Sequence, residues 1–532
     1  MNKKKHGADD FTSKGLILSC AFLVFSIVVF LFRYVFIFGE PDYIRNNSRG
    51  TSLQFRVKEE IENLDPALFK SEADETVIHA VMEGLFRYRP NSTDIIPLLV
   101  ESYSISNDCL EIFFKLREGV MWHKGYGELT TEDVKFSFER LTDPELNSIH
   151  AEDWAVLERV DVINRYEGRI ILKESKVTFW TMALPTTSGM IICKKQYQEV
   201  GNNKFTEDIV GTGPYTYEGR SSEGNAILLK YNFDYWGKPS YFDVIELHTN
   251  SESESDGESE DIIEELDSSE ISISYDTGIE NYGYYRKSIL PSTSCGFLGM
   301  NTDNPKLNDK NVRLAIRYSV DIPAILDNVY FGLAEQVKSI IPKGVTGYWE
   351  DAPFYERDVV KARNYLSLAG FESLELELTI EDTAEYRSWA EIIRQNLKEV
   401  GIFITIKPLN PSIFKNLDEG YKHRELELFA YTHSGSTEPS RYTQWFIKDQ
   451  LSGGNWMNWN SYEFNELHKK GIKTWDTDQR SAIYIEMQKL LDEEANIIWI
   501  SSVPNVFSYY NTVKPAMNLG CTIPSLRDFR VI

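Results

Sequence analysis

The sequence predicts an α/β protein built from more than one domain. Helical patterns that end in a short loop and feed an apolar strand recur along the chain, as in "RSWAEIIRQNLKEVGIFITIKPL" and "DQRSAIYIEMQKLLDEEANIIWISS". This order is typical of a sheet covered by helices. With 532 residues the chain is also too long for one ordinary core, so two or three domains are expected.

Individual elements follow from local signals. "SLQFRV" (Ser52–Val57) alternates between apolar and polar residues like a first strand. In "LTTEDVKFSFERL", Thr130 and Asp133 form a capping box that predicts the start of a helix. "LELELTI" (374–380) alternates as a half-buried strand, and Gly401 stands where the preceding helix should stop.

A glycine-rich stretch, "DIVGTGPYTYEG" (208–219), raises the question of a phosphate-binding loop. The dinucleotide pattern needs a third glycine where Thr216 stands, and Pro214 lacks the N–H group that an anion site would use. No Gly-Lys-Ser/Thr triplet follows. The stretch is therefore interpreted as a turn followed by a strand, with its glycines serving backbone geometry.

The N-terminus predicts a membrane anchor. Residues 15–38 hold seventeen Leu, Ile, Val or Phe residues among twenty-four. A helix of that length spans about 36 Å, enough to cross a bilayer core of about 30 Å. No small-residue cleavage site follows, so an uncleaved signal anchor is expected. The lysines before it predict that residues 1–14 stay in the cytoplasm and that the chain from about residue 40 lies outside.

Charge and cysteine content narrow the function classes. The formal net charge of −25 argues against nucleic acid as a partner. Ten carboxylates fall within 251–270, which is expected to be a solvated, flexible acidic loop. The five cysteines are scattered without a C-x-x-C pair, which excludes a zinc ribbon or a disulfide framework and leaves one incidental bridge open.

Three ordered stretches resemble one family. The first, 63–141, contains "NLDP", "EGL", "PLLVES", "LREGV" and the capped "LTTEDV". The second is "VGTGPYTYEG" with "LKYNFDYWGKP", and the third is "LGMNTDNPKLNDKNVRLAIRYSVD". Together they resemble the extracellular solute-binding proteins of family 5, which serve oligopeptide, dipeptide and nickel ABC importers. The resemblance covers nearly the whole predicted exported chain.

The resemblance implies a type II periplasmic-binding-protein fold behind the N-terminal transmembrane helix. Two α/β lobes would be joined by two crossing strands, with hinges near 295–301 and 499–503. Lobe one would carry an extra subdomain. The implied ranges are 51–90, 200–296 and 497–532 for lobe one, 91–199 for the subdomain and 297–496 for lobe two.

The resemblance also implies a function without catalysis or cofactor. The lobes would close on an oligopeptide and deliver it to an ABC permease, with the protein acting as a monomer. Two alternatives keep the fold: binding of a non-peptide solute such as a nickel chelate or a sugar, and a membrane-tethered ligand sensor. No G-x-S-x-G or H-E-x-x-H motif is present, so an enzyme is not expected.

Ligand contacts are expected in "FAYTHSGSTEPSRYTQWF" (429–446). In peptide-binding members a similar stretch carries an Asp four residues before a proline, and that Asp receives the peptide's ammonium. Here the position is Gly435, which puts recognition of a free amino terminus in doubt. Glu438 either substitutes for the missing carboxylate or faces solvent.

The other candidate contacts each have a structural alternative. Arg441 would bind a ligand carboxylate or form an ordinary salt bridge. Trp445 and Trp456 would stack on the cargo or pack in the core. His433 is a cleft contact or a metal ligand, although no second histidine accompanies it at ligand spacing. Asn301 ends the first expected hinge, and His123 is expected in a surface turn.

Overall fold

The structure is a computed structural model that describes eight stretches of the chain: 51–57, 59–221, 226–249, 271–276, 286–417, 423–448, 454–509 and 513–531. The expected cytoplasmic N-terminus, the signal anchor at 15–38 and the acidic loop at 251–270 lie outside the described residues. Within the described stretches, every helix is too short or too polar to cross a bilayer.

Lobe one is built on a seven-stranded mixed sheet. Its central strand, Ser52–Val57, pairs in parallel with both neighbours, and Leu53 and Phe55 on its inner face are fully buried. This confirms the alternation predicted from the sequence. In spatial order the strands are Tyr215–Arg220, Ala226–Tyr231, Val244–Thr249, Ser52–Val57, Ile271–Asp276, Asn505–Tyr509 and Arg286–Leu290.

Lobe two is built on a six-stranded mixed sheet in which strand Cys295–Met300 is buried on both faces. All six residues of Cys295–Met300 are buried, with Leu298 and Met300 in one apolar cluster and Cys295 and Phe297 in another. Alternate residues of a strand face opposite sides, so one apolar cluster covers each face of this strand. In spatial order the strands are Glu335–Gln336, Ile497–Ser502, Cys295–Met300, Leu428–His433, Leu374–Glu381 and Ile402–Leu409.

Helices surround both sheets. Helix Glu72–Val81 packs in the apolar core of lobe one. Helix Ala384–Glu399 packs its buried Trp389 and Ile393 in the core of lobe two, and Gly401 follows this helix with φ +93°, as predicted. The other lobe-two helices are Lys310–Arg317, Ile322–Tyr330, Val359–Leu368, Pro411–Lys415, Pro439–Thr443, Tyr462–Gly471 and Thr477–Glu494.

A third apolar core lies in the region between residues 91 and 199. Its antiparallel sheet has the strand order Val100–Ile105, Glu111–Leu116, Glu167–Leu172 and Leu157–Val162. The capping box is confirmed, because the Thr130 N–H donates to Asp133 Oδ2 at 2.9 Å and helix Thr131–Glu139 begins there. The remaining helices here and in the adjoining part of lobe one are Ala151–Trp154, Lys194–Val200 and Asn202–Phe205.

Short two-residue and three-residue strands complete the fold. They form four small two-stranded pairings outside the large sheets. Their members are Glu83–Gly84 with Met190–Ile191, Phe86–Tyr88 with Ile95–Pro97, Val513–Lys514 with Arg530–Val531, and Met517–Asn518 with Ile523–Pro524.

The chain crosses between the two large sheets at 291–294 and at 503–504. These crossings are tied together, because Ser294 Oγ accepts from the Val503 N–H at 3.0 Å and donates to the Val503 carbonyl at 3.0 Å. The predicted hinges were placed too far into the second sheet. Ile497–Ser502 also belongs to that sheet, not to lobe one, because it pairs with Cys295–Met300.

The glycine-rich stretch forms the expected turn and strand. The Gly213 N–H donates to the Val81 carbonyl at 2.9 Å, and Tyr215–Arg220 follows as an edge strand of lobe one. The expectation for His123 was wrong, because its ring is buried and lies 2.9 Å from the Gly213 carbonyl. The sequence suggested an exposed side chain because His123 stands among turn residues. Its partner, Gly213, lies far along the chain, so no local pattern could reveal the contact.

Gly211 is required by a close backbone approach. A Cβ atom there would lie 2.6 Å from the Val81 carbonyl carbon, at the end of helix Glu72–Val81. We expect Gly211→Ala to lower the free energy of unfolding by about 2–4 kcal/mol, because backbone atoms cannot rotate away. Urea unfolding of the full chain measures this change in the free energy of unfolding.

Gly219→Ala is the matched control in the same stretch. Its Cβ would meet nothing within 4 Å, so only its left-handed conformation, φ +99°, opposes the substitution. That strain costs about 1–2 kcal/mol. Equal losses in the two variants would contradict the close-approach argument.

Candidate functional site

The predicted ligand-binding stretch forms one continuous structure, residues 433–446, which we call the bridging segment. It begins at the end of strand Leu428–His433, turns at Gly435, and continues as helix Pro439–Thr443 and the 3₁₀ turn Gln444–Phe446. Pro439 is the first helical residue, where its missing N–H group is not needed. One side of this segment faces a cavity, and the other contacts lobe one and its subdomain.

The cavity lies in lobe two and has a volume of about 250 Å³. Phe429, Tyr431 and His433 alternate along one strand, so their side chains share the face that lines it. Three of the predicted contacts, His433, Trp445 and Trp456, are brought together here. The other lining residues are Phe297, Ile340, Lys415, Phe446, Gly454 and Met457.

Aromatic packing gives the cavity rigid walls. The Trp456 ring centroid lies 5.4 Å from those of Phe414, Phe429 and Tyr431. Trp456 therefore packs in the core and lines the cavity at once. The Trp445 Nε1–H group is buried and has no hydrogen-bond acceptor among the described residues. It is a free donor beside the cavity, a position suited to a ligand oxygen.

His433 is a neutral wall residue. Its ring centroid lies 4.6 Å from that of Tyr442, and its Nδ1 accepts from the Gly435 N–H at 3.1 Å. Burial lowers the pKa of His433 to about 4, so the ring is uncharged at neutral pH. In the described parts of the chain His433 belongs to no three-residue cluster able to hold a metal.

Gly435 leaves no room for the expected carboxylate. Its φ is +103°, and a Cβ atom would lie 2.5 Å from Thr293 Oγ1 and 2.7 Å from the Thr293 carbonyl carbon. Thr293 belongs to the 291–294 crossing. The bridging segment thus packs directly against a crossing at the position where the resemblance implies an Asp in peptide-binding members.

Glu438 has a role that the sequence did not predict. One oxygen pairs with Arg480 and accepts from the Ser440 N–H at 3.0 Å; the other accepts from Thr181 Oγ1 at 2.6 Å. The side chain is 0% exposed. It neither faces solvent nor keeps an oxygen for a ligand ammonium, because it caps helix Pro439–Thr443 and neutralises a buried Arg.

Arg441 forms a salt bridge, one of its two predicted roles. Its Nη2 lies 2.9 and 3.0 Å from the two carboxylate oxygens of Asp153, and its Nε lies 3.2 Å from Met182 Sδ. Asp153 and Met182 belong to the subdomain region. The guanidinium therefore links the bridging segment to the far side of the cleft.

Asn301 does not line the cavity. Its Nδ2 donates to the carbonyls of Leu426 and Arg424 at 2.8 and 3.1 Å, and its Oδ1 accepts from Asn458 Nδ2 at 3.1 Å. The side chain is buried and holds loops of lobe two together. The structure gives this side chain a structural role, because both polar atoms of the amide have partners within the lobe.

Several functional residues were missed by the sequence analysis. Thr437 Oγ1 donates to Tyr88 Oη at 2.7 Å, and that hydroxyl donates to the Thr181 carbonyl. These partners lie far apart in the sequence, so no local pattern connects them. Tyr431 could have been found, because the period of two along "FAYTH" places it on one face with Phe429 and His433.

A second patch joins lobe two to the subdomain. The Val177 N–H donates to the Ile472 carbonyl at 3.1 Å, and Trp475 Nε1 donates to Ser175 Oγ at 2.8 Å. With the bridging segment, these bonds hold the two sides of the cleft in direct contact. Lobe two therefore contacts the subdomain region at two places, and the aromatic cavity lies within lobe two.

The comparisons with known proteins agree with this architecture. The model of the middle region of the bacterial extracellular solute-binding proteins, family 5, matches residues 94–454. The peptide transport periplasmic protein SapA of Salmonella typhimurium is 24% identical over 487 residues, which are 83% of this chain and 84% of SapA.

Solved structures share the fold at low sequence identity. The ABC transporter substrate-binding protein CtaP of Listeria monocytogenes superposes with a TM-score of 0.80 at 21% identity, covering 91% of this chain and 99% of CtaP. DppA of Helicobacter pylori, solved in complex with the peptide STSA, superposes with a TM-score of 0.69 at 21% identity, covering 91% and 98%.

The Glu438–Arg480 pair should dominate the stability of the bridging segment. We expect Glu438→Gln to lower the free energy of unfolding by about 3–5 kcal/mol, because it leaves a buried guanidinium without its counter-charge. Chemical denaturation followed by tryptophan fluorescence measures this. Glu466→Gln, which breaks an exposed pair with Lys469, is the control and should cost less than about 1 kcal/mol. Similar losses in both variants would refute the assignment.

His433 should make stability depend on pH. Its pKa is about 4 in the folded chain and about 6.5 in the unfolded one, so between these values only the unfolded chain binds the proton. The contribution of the neutral His433 ring to the free energy of unfolding is therefore complete above pH 6.5. It falls by on the order of 3 kcal/mol as the pH drops to 4. His433→Gln should flatten the measured loss over this window, relative to a baseline at pH 7.5. An unchanged pH profile would show that the ring is not buried.

Proposed function

This chain belongs to the bacterial extracellular solute-binding proteins of family 5, and we propose that it captures peptides between its two lobes and delivers them to an ABC permease. The observation that carries the proposal is the double role of the bridging segment. His433 and Trp445 line the cavity, while Thr437, Glu438 and Arg441 contact the opposite side of the cleft. Binding in the cavity and closure of the cleft therefore act on the same fourteen-residue range, 433–446.

The cavity suits one side chain of the cargo. Its volume of about 250 Å³ falls below the roughly 300–1,000 Å³ of pockets that enclose a whole small molecule. Among its described lining residues Lys415 carries charge, and none is a carboxylate. An aromatic or long apolar side chain fits such walls, with its polar end toward the Trp445 N–H or Lys415.

Peptide recognition is proposed to rest on the main chain and on this side-chain cavity, not on a free amino terminus. Gly435 cannot be replaced by a carboxylate without moving Thr293, and the Glu438 oxygens are occupied. Main-chain hydrogen bonds are independent of sequence and available to any peptide. SapA, named as a peptide transport protein, and DppA with its bound peptide support the choice of a peptide cargo.

Localisation follows from the proposed anchor. We place residues 15–38 in the membrane and the two lobes on its outer side, within reach of the permease. The protein binds one cargo as a monomer and catalyses no reaction on it. The acidic net charge of −25 fits a soluble exported body that avoids anionic surfaces.

The test uses the full chain. It should sediment with membranes and require detergent for release; recovery in the aqueous fraction contradicts the anchor. The detergent-extracted protein is then mixed with peptides of two to eight residues that include aromatic ones, and thermal unfolding and calorimetry are recorded. Peptide at a hundred times its Kd should stabilise the fold by about 2.7 kcal/mol.

Variants and modified peptides sharpen the test. Trp445→Ala should weaken binding of an aromatic peptide by at least about tenfold, whereas Tyr462→Ala, an exposed aromatic outside the cavity, should not. Acetylation of the peptide amino terminus should change the affinity by less than about threefold. A loss of a hundredfold or more on acetylation would reject the proposed recognition mode. If no peptide stabilises the protein but a nickel chelate or a sugar does, the proposed peptide cargo is rejected.

A further inference from the structure

A cluster of three metal-ligand side chains lies in lobe one, apart from the cavity. Glu75 and His79 are one turn apart on helix Glu72–Val81, so they project from the same helix face. Cys521 comes from the turn after strand Met517–Asn518. One donor atom from each of the three lies within 4.8 Å of the others.

We propose that Glu75, His79 and Cys521 bind a divalent cation of the borderline class, with Zn²⁺ as the best fit. The donor set of one carboxylate, one imidazole and one thiol is of the kind that Zn²⁺ takes in proteins. Sequence spacing conceals it, because Cys521 lies 442 residues from His79. The sequence around these three residues contains no C-x-x-C or paired-histidine motif that would predict a metal site.

The distances already match a tetrahedral ion. Bond lengths of about 2.3 Å to sulfur and about 2.05 Å to nitrogen place the two atoms about 3.6 Å apart across a tetrahedral angle. Cys521 Sγ lies 3.6 Å from His79 Nε2. The ion would therefore seat between these two donors without movement of either backbone.

Thr187 contacts all three side chains of the cluster. Its hydroxyl donates to Glu75 Oε1, lies 2.8 Å from His79 Nε2 and lies 3.7 Å from Cys521 Sγ. A bound ion would take over the contacts to Glu75 and His79. The three side chains leave a fourth position for water or an outside ligand.

Asn518 positions the imidazole. Its side-chain amide lies 3.3 Å from His79 Nδ1. Binding through Nε2 places the ring proton on Nδ1, so the amide must turn its oxygen toward the ring and give up the hydrogen bond that this oxygen accepts from the Gly520 N–H at 3.1 Å. Partners of this kind typically contribute about 10–100-fold in metal affinity.

The surroundings allow a cation. Arg87 and Arg527 are the nearby positive groups, but Arg87 pairs with Asp528 at 2.9 Å and Arg527 pairs with Glu83 at 2.7 Å. Glu75 is buried, while His79 and Cys521 are partly exposed and give the ion a path of entry. The bound ion would cross-link helix Glu72–Val81 to the C-terminal part of the chain.

The experiment uses the full chain purified without a polyhistidine tag and stripped of metal by a chelator. Zn²⁺ is titrated in competition with a chromophoric chelator, and Co²⁺ is used as a spectroscopic probe. We expect one equivalent of Zn²⁺ to bind, and Co²⁺ to give a thiolate charge-transfer band. Cys521→Ser should abolish that band, and both Cys521→Ser and His79→Gln should lower Zn²⁺ affinity by more than about tenfold.

Matched variants separate the site from general damage. Cys109→Ser removes a free cysteine in a distant turn and should leave Zn²⁺ binding unchanged. Asn518→Leu should weaken binding by about 10–100-fold without changing the Co²⁺ band position. Circular dichroism confirms that each variant is folded. If the wild type binds Zn²⁺ no more tightly than Cys521→Ser, or binds none, the cluster is only a hydrogen-bonded one and the proposal is refuted.

Discussion

A carboxylate that is completely removed from water must be neutralised, and the architecture of the cleft follows from how Glu438 meets this requirement. Arg480 reaches it from helix Thr477–Glu494, Thr181 reaches it from the subdomain region, and Ser440 closes the helix cap on it. The same side chain thus fixes the start of a helix and joins two sides of the cleft. Both members of the ion pair lie in lobe two, so the bond from the Thr181 hydroxyl is the contact at Glu438 that reaches the subdomain region.

The residues that line the cavity and those that contact the other side of the cleft belong to one continuous stretch of chain, the bridging segment. Trp445 follows helix Pro439–Thr443 by two residues, and His433 precedes Gly435, which packs against Thr293. A ligand that fixes the aromatic walls also fixes the helix between them. In the proposed function, specificity and closure need no separate pathway, because both depend on one short stretch of backbone.

Local patterns predicted the elements but not the roles of the polar residues. The strand Ser52–Val57, the capping box at Thr130 and the stop at Gly401 depend on neighbours within a few residues, so sequence alone sufficed. His123, Asn301 and Glu438 depend on partners from distant parts of the chain. The resemblance gave the two lobes, but it could not show that Gly435 approaches Thr293, because that contact arises only when a crossing and the bridging segment meet.

The position of strand Asn505–Tyr509 has a consequence for synthesis of the protein. It lies between Ile271–Asp276 and Arg286–Leu290, so the lobe-one sheet stays split until Asn505–Tyr509 has left the ribosome. Lobe two needs only one uninterrupted stretch of chain, from Cys295 to Ser502. Lobe two can therefore assemble before lobe one, whose sheet is completed only after residue 509 has been made, and the two unpaired strand edges of lobe one must be protected from aggregation in the meantime.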